Sequence, residues 1–139
     1  MSSGEALQKT LESILGFQAS DVSIPIFRFL EIGTASGYTT SNVVNFLKKT
    51  RPMNNFEVYA CDPFLGYWEK DRDEESTFKE FIGRNKENIK NNLVFFERKT
   101  SEEYLTELRQ EKGSQFFDLI YIDGAHDAFS VMKDFMLAD

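Results

Sequence analysis

The chain has 139 residues, enough for one domain (residues 1–139) and too few for a second of ordinary size. Apolar residues make up 41% of it and Phe alone fills 14 positions, so a core can be buried and intrinsic disorder is excluded. With 16 basic and 23 acidic residues the net charge is −7, a field that repels phosphate backbones and anionic headgroups and argues against nucleic acid or membrane partners.

Leu7, Leu11, Ile14 and Leu15 recur at helical spacing and predict an amphipathic helix from about Ser3 to Phe17, then a loop from Gln18 to Ser23. Ile24 to Ile32 (IPIFRFLEI) is apolar, β-favouring and bounded by Pro25 and Gly33, the pattern of a strand buried in a sheet. A small-residue turn, Gly33 to Gly37, leads into a helix over Tyr38 to Lys49. Its apolar stripe is Val43, Val44, Phe46 and Leu47, two lysines close it, and Arg51-Pro52-Met53 stops it. Phe56 to Cys61 reads as a second strand, ended by Asp62-Pro63 because the residue before Pro stays extended and Pro cannot continue the ladder. Leu65 to Glu75 is dense in Gly, Trp and mixed charge and reads as a solvated loop, in which Tyr67 and Trp68 either form a lid or pack the loop down. Ser76 is the expected cap of a third helix that carries Phe78, Phe81, Ile82 and Ile89 on one face and ends near Asn91-Asn92. Leu93 to Phe96 forms a short third strand. Thr100 with Glu103 three residues on is a capping-box pattern for a helix containing Tyr104, Leu105 and Leu108 and closed by Gly113. Phe116 to Ile122 is the fourth strand, and Phe129, Met132, Phe135 and Met136 mark a last helix.

Helices alternating with strands imply parallel strands joined by right-handed crossovers, an α/β doubly wound sheet with helices on both faces. Ligands in such sheets bind outside the carboxyl ends of the strands, where Glu31-Ile32-Gly33, Asp62, Lys99-Thr100-Ser101 and Asp123 all fall. The single Cys and single His cannot make an internal disulfide or a zinc site of about four N/S ligands, and Cys61 reads as a small buried hydrophobe. No basic-then-apolar leader opens the chain, and no apolar run approaches the roughly 20 residues of a spanning helix, which points to a cytoplasmic protein.

Glu31 to Gly37 spells E-x-G-x-x-x-G between a buried strand and a helix, with glycines that make the tight turn and let backbone approach a ligand. The acid at the strand end would repel a pyrophosphate and attract an ammonium or sulfonium, so the expected ligand carries positive charge and is not a dinucleotide. Asp62 is either a turn residue before Pro or an acid that accepts from both hydroxyls of a ribose. In the second case, removing its carboxylate weakens binding with little change in stability. His126, three residues after Asp123, is either a packing or capping residue of the last helix or a base of near-neutral pKa.

FLEIGTASGYTT, VYACDPF, RKTSEEYL and FDLIYIDGAHDAFSVMKDF resemble, in order and spacing, the successive motifs of class I S-adenosylmethionine-dependent methyltransferases. The likeness is greatest to the O-methyltransferase-like group with EIG-x-x-x-GY and DG-x-H motifs, and it covers about residues 24 to 139. It implies a Rossmann-like sheet of order 3-2-1-4 and S-adenosylmethionine as cofactor. Glu31, Gly33 and Gly37, with the intervening Thr34 and Ala35, would line the methionine end. Thr39 would bind its carboxylate, Asp62 the ribose, Phe64 would flank the adenine, Ser101 would meet the adenine edge, and Asp123 would lie beside the sulfonium. His126 stands where catechol-type members carry a lysine base, so His126 and Asp123 are the catalytic candidates for O-methylation of a small-molecule acceptor.

Members of that group continue through a Pro-Gly-Gly turn into further strands, whereas here the prolines are Pro25, Pro52 and Pro63 and the sequence stops at Asp139. Metal ligands contributed from beyond the fourth strand are then missing, so no metal site is expected. Either the sequence is part of a longer enzyme cut after the fourth strand, or that strand is an open apolar edge that self-associates or pairs with a partner chain. Two functions remain open at this point: methyl transfer, or cofactor binding in a module or assembly subunit without turnover.

Overall fold

The computed structural model describes residues 3–64, 73–113 and 116–122. The elements are α1 (Ser3–Ala19), β1 (Phe27–Ile32), α2 (Tyr38–Thr50), a 3-10 turn (Pro52–Asn54), β2 (Phe56–Cys61), α3 (Glu74–Lys90), β3 (Val94–Glu97), α4 (Ser101–Lys112) and β4 (Leu119–Ile122). The strands pair in parallel in the order β3-β2-β1-β4, the Rossmann-like α/β arrangement expected. The last helix, Asp123 and His126, and Tyr67 and Trp68 lie outside the described residues.

Strand periodicity sorts the core between the two faces of the sheet. Phe27, Phe29, Phe56, Val58 and Val94 point to one face and are covered by Leu11 and Leu15 of α1 and Val43, Val44 and Leu47 of α2. Towards the end of β2 on the same side, Ala60 meets Phe81 of α3. Leu30, Ile32 and Cys61 point to the other face, against Tyr104 and Leu105 of α4. Cys61 is buried and packs as a small hydrophobe. No helix among the described residues is long and apolar enough to cross a membrane.

Four local expectations need correction. β1 begins at Phe27, not Ile24, because Pro25 has no N–H to give and the ladder opens where Phe27 N–H donates to Asn55 O at 3.1 Å. Ile14 is 44% exposed: α1 buries Leu11, Leu15 and Ala19, a straight i, i+4, i+8 row that leaves residue 14 on the flank. The cap of α3 is Asp73, not Ser76, since a carboxylate that accepts from both Glu75 N–H and Ser76 O–H serves the helix start better than a hydroxyl three residues in. β4 starts at Leu119 because Asp118 is occupied in clamping the start of β1, its N–H donating to Arg28 O and its carboxylate accepting from Arg28 N–H, both at 2.8 Å.

Arg51, at the C-terminal cap of α2, has a buried guanidinium. It donates to Ala19 O (3.0 Å), Asp21 O (3.1 Å), Asn55 O (3.1 Å) and Ile24 O, so one side chain ties the end of α1, the approach to β1 and the approach to β2 together. The planar fork of Arg satisfies carbonyls lying in several directions, which a lysine ammonium cannot do. Arg51→Ala is expected to lower stability by about 2–4 kcal/mol in chemical denaturation through the unsatisfied carbonyls, and Arg51→Lys to recover less than half of it.

Candidate functional site

Parallel strands bring their carboxyl ends to one edge, where the turn after β1, the Asp62 corner after β2 and the start of α4 after β3 lie side by side. The β1–β2 ladder runs one step past β1, with Gly33 N–H donating to Cys61 O at 2.9 Å. The chain then turns through Thr34 to Gly37, closed by Gly37 N–H donating to Thr34 O at 3.0 Å. Gly33 and Gly37 adopt φ of +86° and +88°, a region costly for any residue with a Cβ.

Asp62 joins the two strand tips. Its carboxylate is 6% exposed and accepts from Ala35 N–H at 2.9 Å and from Phe64 N–H at 2.7 Å. The first bond pins the turn after β1 to the end of β2, and the second forms the corner after β2. The expectation that Asp62 can be removed with little change in stability is therefore corrected, because two backbone donors would lose their acceptor.

Glu31 lies wholly beneath the surface. Its Oε1 accepts from Thr40 O–H at 2.6 Å, a contact that seats the first turn of α2 over the end of β1. Thr40, not singled out from the sequence, shares the buried stripe of Val43, Val44 and Leu47, so its helical spacing marked it as inward-facing. Thr39 is half-buried on the same first turn, and Thr34 Oγ1 is buried without a hydrogen-bond partner.

Two further residues missed in the sequence hold the turn from α3. Asn85, fully buried, donates through Nδ2 to Gly37 O at 3.3 Å and Phe81 O at 3.2 Å. Arg84 donates to Ser36 O at 2.5 Å and lies 3.6 Å over the Tyr38 ring. Asn85 was visible as a polar residue in the apolar row of Phe78, Phe81 and Ile89, whereas nothing in the sequence marked Arg84.

Phe64 has a different duty from the one expected of it. Its ring is fully buried, edge-on to Phe78 and Phe96 at centroid distances of 5.2 and 5.8 Å, and it serves as core and not as an open face for adenine. Arg98 covers this cluster, 4.4 Å from the Phe78 ring centroid, and pairs with Glu75 at 2.5 Å. Ser101 is the first residue of α4, beside the capping box in which Thr100 accepts from Glu103 N–H and Glu103 accepts from Thr100 N–H.

Helix starts differ in charge. α3 and α4 open with side-chain caps and two acids each in the first turn, whereas α2 opens from Gly37 with neither. The positive end of α2 is thus left without an anionic partner from its own first turn.

Residues 30–139 match a family described as a methyltransferase domain. The chain belongs to that methyltransferase family. Its fold is that of a solved O-methyltransferase from Bacillus cereus in complex with S-adenosylhomocysteine, matched at TM-score 0.63 and 20% identity. The match takes in 99% of this chain and 51% of the other, so this chain spans about half the length of that enzyme. No curated protein matches.

In this methyltransferase-family chain the glycine at 37 is required by α3. A Cβ there would stand 2.5 Å from Asn85 Nδ2 and 2.8 Å from Phe81 Cδ2, on backbone at φ +88°. Gly37→Ala is expected to cost about 2–4 kcal/mol from overpacking and backbone strain together. Thermal and denaturant unfolding measure it, and a change below about 0.5 kcal/mol, the size of a surface substitution, would contradict the packing described.

Proposed function

We propose that the chain binds S-adenosylmethionine across the carboxyl edge of its sheet and serves methyl transfer to a hydroxyl oxygen of a small molecule. The observation that carries this reading is the Asp62–Ala35 bridge, which makes one surface of two strand tips. Two features of that surface fit the cofactor. The uncapped first turn of α2 leaves amides for a carboxylate, and the half-buried Thr39 stands on that same turn.

On this reading the turn from Gly33 to Gly37 and Thr39 receive the methionine end, with Glu31 supporting from below. A carboxylate has about four acceptor sites, so Asp62 keeps capacity for ribose hydroxyls beyond its two backbone donors. Ser101 is assigned to the adenine edge. When bound, the cofactor supplies an electrophilic methyl group on a sulfonium. The chain contributes positioning, and His126 with Asp123 is assigned removal of the acceptor hydroxyl proton. β4 pairs with β1 and, among the described residues, with no further strand, so self-association or a partner chain is proposed at that edge.

Calorimetry with S-adenosylmethionine and S-adenosylhomocysteine is expected to give binding, and a folded sample silent to both at millimolar concentration would remove the cofactor assignment. Asp62→Ala is expected to weaken binding by about 1–3 kcal/mol and to lower the unfolding midpoint as well. Transfer of a labelled methyl group to hydroxylated small molecules distinguishes turnover from binding alone.

A further inference from the structure

Arg84 stands outside the turn it touches. It sits on α3, 48 residues further along the chain than Ser36, and its Nη1 donates to Ser36 O at 2.5 Å. The same guanidinium lies 3.6 Å over the ring of Tyr38, itself 63% exposed. Its neighbour Asn85 takes the next carbonyl, Gly37 O, at 3.3 Å.

These contacts fix more than carbonyls. Every peptide bond described here is trans, so a carbonyl aimed at α3 sends the N–H of the same peptide plane the opposite way. Asn85 holding Gly37 O thereby sets the direction of Tyr38 N–H, the first amide of α2. Arg84 holding Ser36 O sets the plane whose Gly37 N–H closes the turn on Thr34 O. Gly37 O also accepts Ser41 N–H at 3.0 Å, the bond that opens the helix, so both donors act where turn becomes helix.

Arg84 is also in an electrostatically unhelpful place for the helix it serves. A guanidinium at the positive end of α2 is of like sign with the helix dipole, and a cation is normally found at the other end. Its contacts are the Ser36 carbonyl and the Tyr38 ring, while the buried contact to Gly37 is made by Asn85.

We propose that Arg84 is a positioning residue for the cofactor turn: without touching the cofactor, it sets cofactor affinity by holding Ser36 and Tyr38 in register with the first turn of α2. The inference rests on the cofactor reading given above. Pre-organised loops bind more tightly because ordering is not charged against binding, so losing this anchor lowers affinity without removing any ligand contact.

Arg84→Met keeps the aliphatic stem and removes the donors. Calorimetry with S-adenosylhomocysteine is expected to show affinity weakened roughly tenfold, because the turn must now be ordered on binding, with a modest fall in the unfolding midpoint from the lost Ser36 bond. Hydrogen exchange is expected to show faster exchange at the Gly37 and Ser41 amides, with β1 and β2 unchanged. If the wild-type chain binds and Arg84→Met binds within twofold of it, the proposal is overturned. If the wild-type chain takes up no S-adenosylhomocysteine, the cofactor reading fails on its own, and the affinity role proposed for Arg84 falls with it. Unchanged exchange at both amides would overturn the proposal in either case.

Discussion

A side chain at residue 37 would occupy the place where Asn85 and Phe81 of α3 now lie, with a Cβ only 2.5 Å from Asn85 Nδ2. The absence of that side chain lets α3 close on the turn after β1, and the rest of the edge is built on the closure. With α3 in place, Asn85 can reach Gly37 O and Arg84 can reach Ser36 O. From below, Glu31 and Thr40 seat the start of α2, and from the side Asp62 takes Ala35 N–H. The turn is thus held from three directions by groups that come from β1, β2, α2 and α3, and no one of these elements could place it alone. The motif glycine is needed for a helix–turn contact before any ligand is considered.

The acids at the strand tips show the same priority. A carboxylate buried without compensation is costly, and the fold supplies donors to both tip acids: the Thr40 hydroxyl to Glu31 Oε1 and two backbone amides to Asp62. Glu31 therefore acts from beneath the turn, through the Thr40 hydroxyl that seats the start of α2.

Most of the architecture was legible in the sequence because its signals are local. β2 begins at Phe56 and ends at Cys61 as read, since Asp62-Pro63 leaves little choice, and α4 starts where the Thr100–Glu103 box puts it. The buried rows of α1 and α2 follow from helical spacing, Ile14 excepted. What escaped the reading depends on contacts between distant segments. Arg51 bonds carbonyls up to 32 residues away, Arg84 and Asn85 act on residues 48 positions earlier, and Phe64 turns inward at φ +55° to join rings from α3 and β3. No spacing rule encodes these. Two hints were present all the same, a Thr and an Asn standing in otherwise apolar helical rows at 40 and 85.

A residue needed for the fold is retained whether or not a ligand binds, so the matching motif residues carry less functional weight than their pattern suggests. Gly37 is accounted for by α3, Asp62 by the amides of Ala35 and Phe64, and Phe64 by its aromatic cluster. Each would be kept in a binding module without turnover as readily as in an enzyme. The weight moves to the start of α2. Its first turn has none of the acids that the other capped helices carry. Arg84 adds a cation where the helix alone would prefer an anion. A cofactor carboxylate at that turn would supply the negative charge that neither the first turn of α2 nor its cap provides, beside the Arg84 cation.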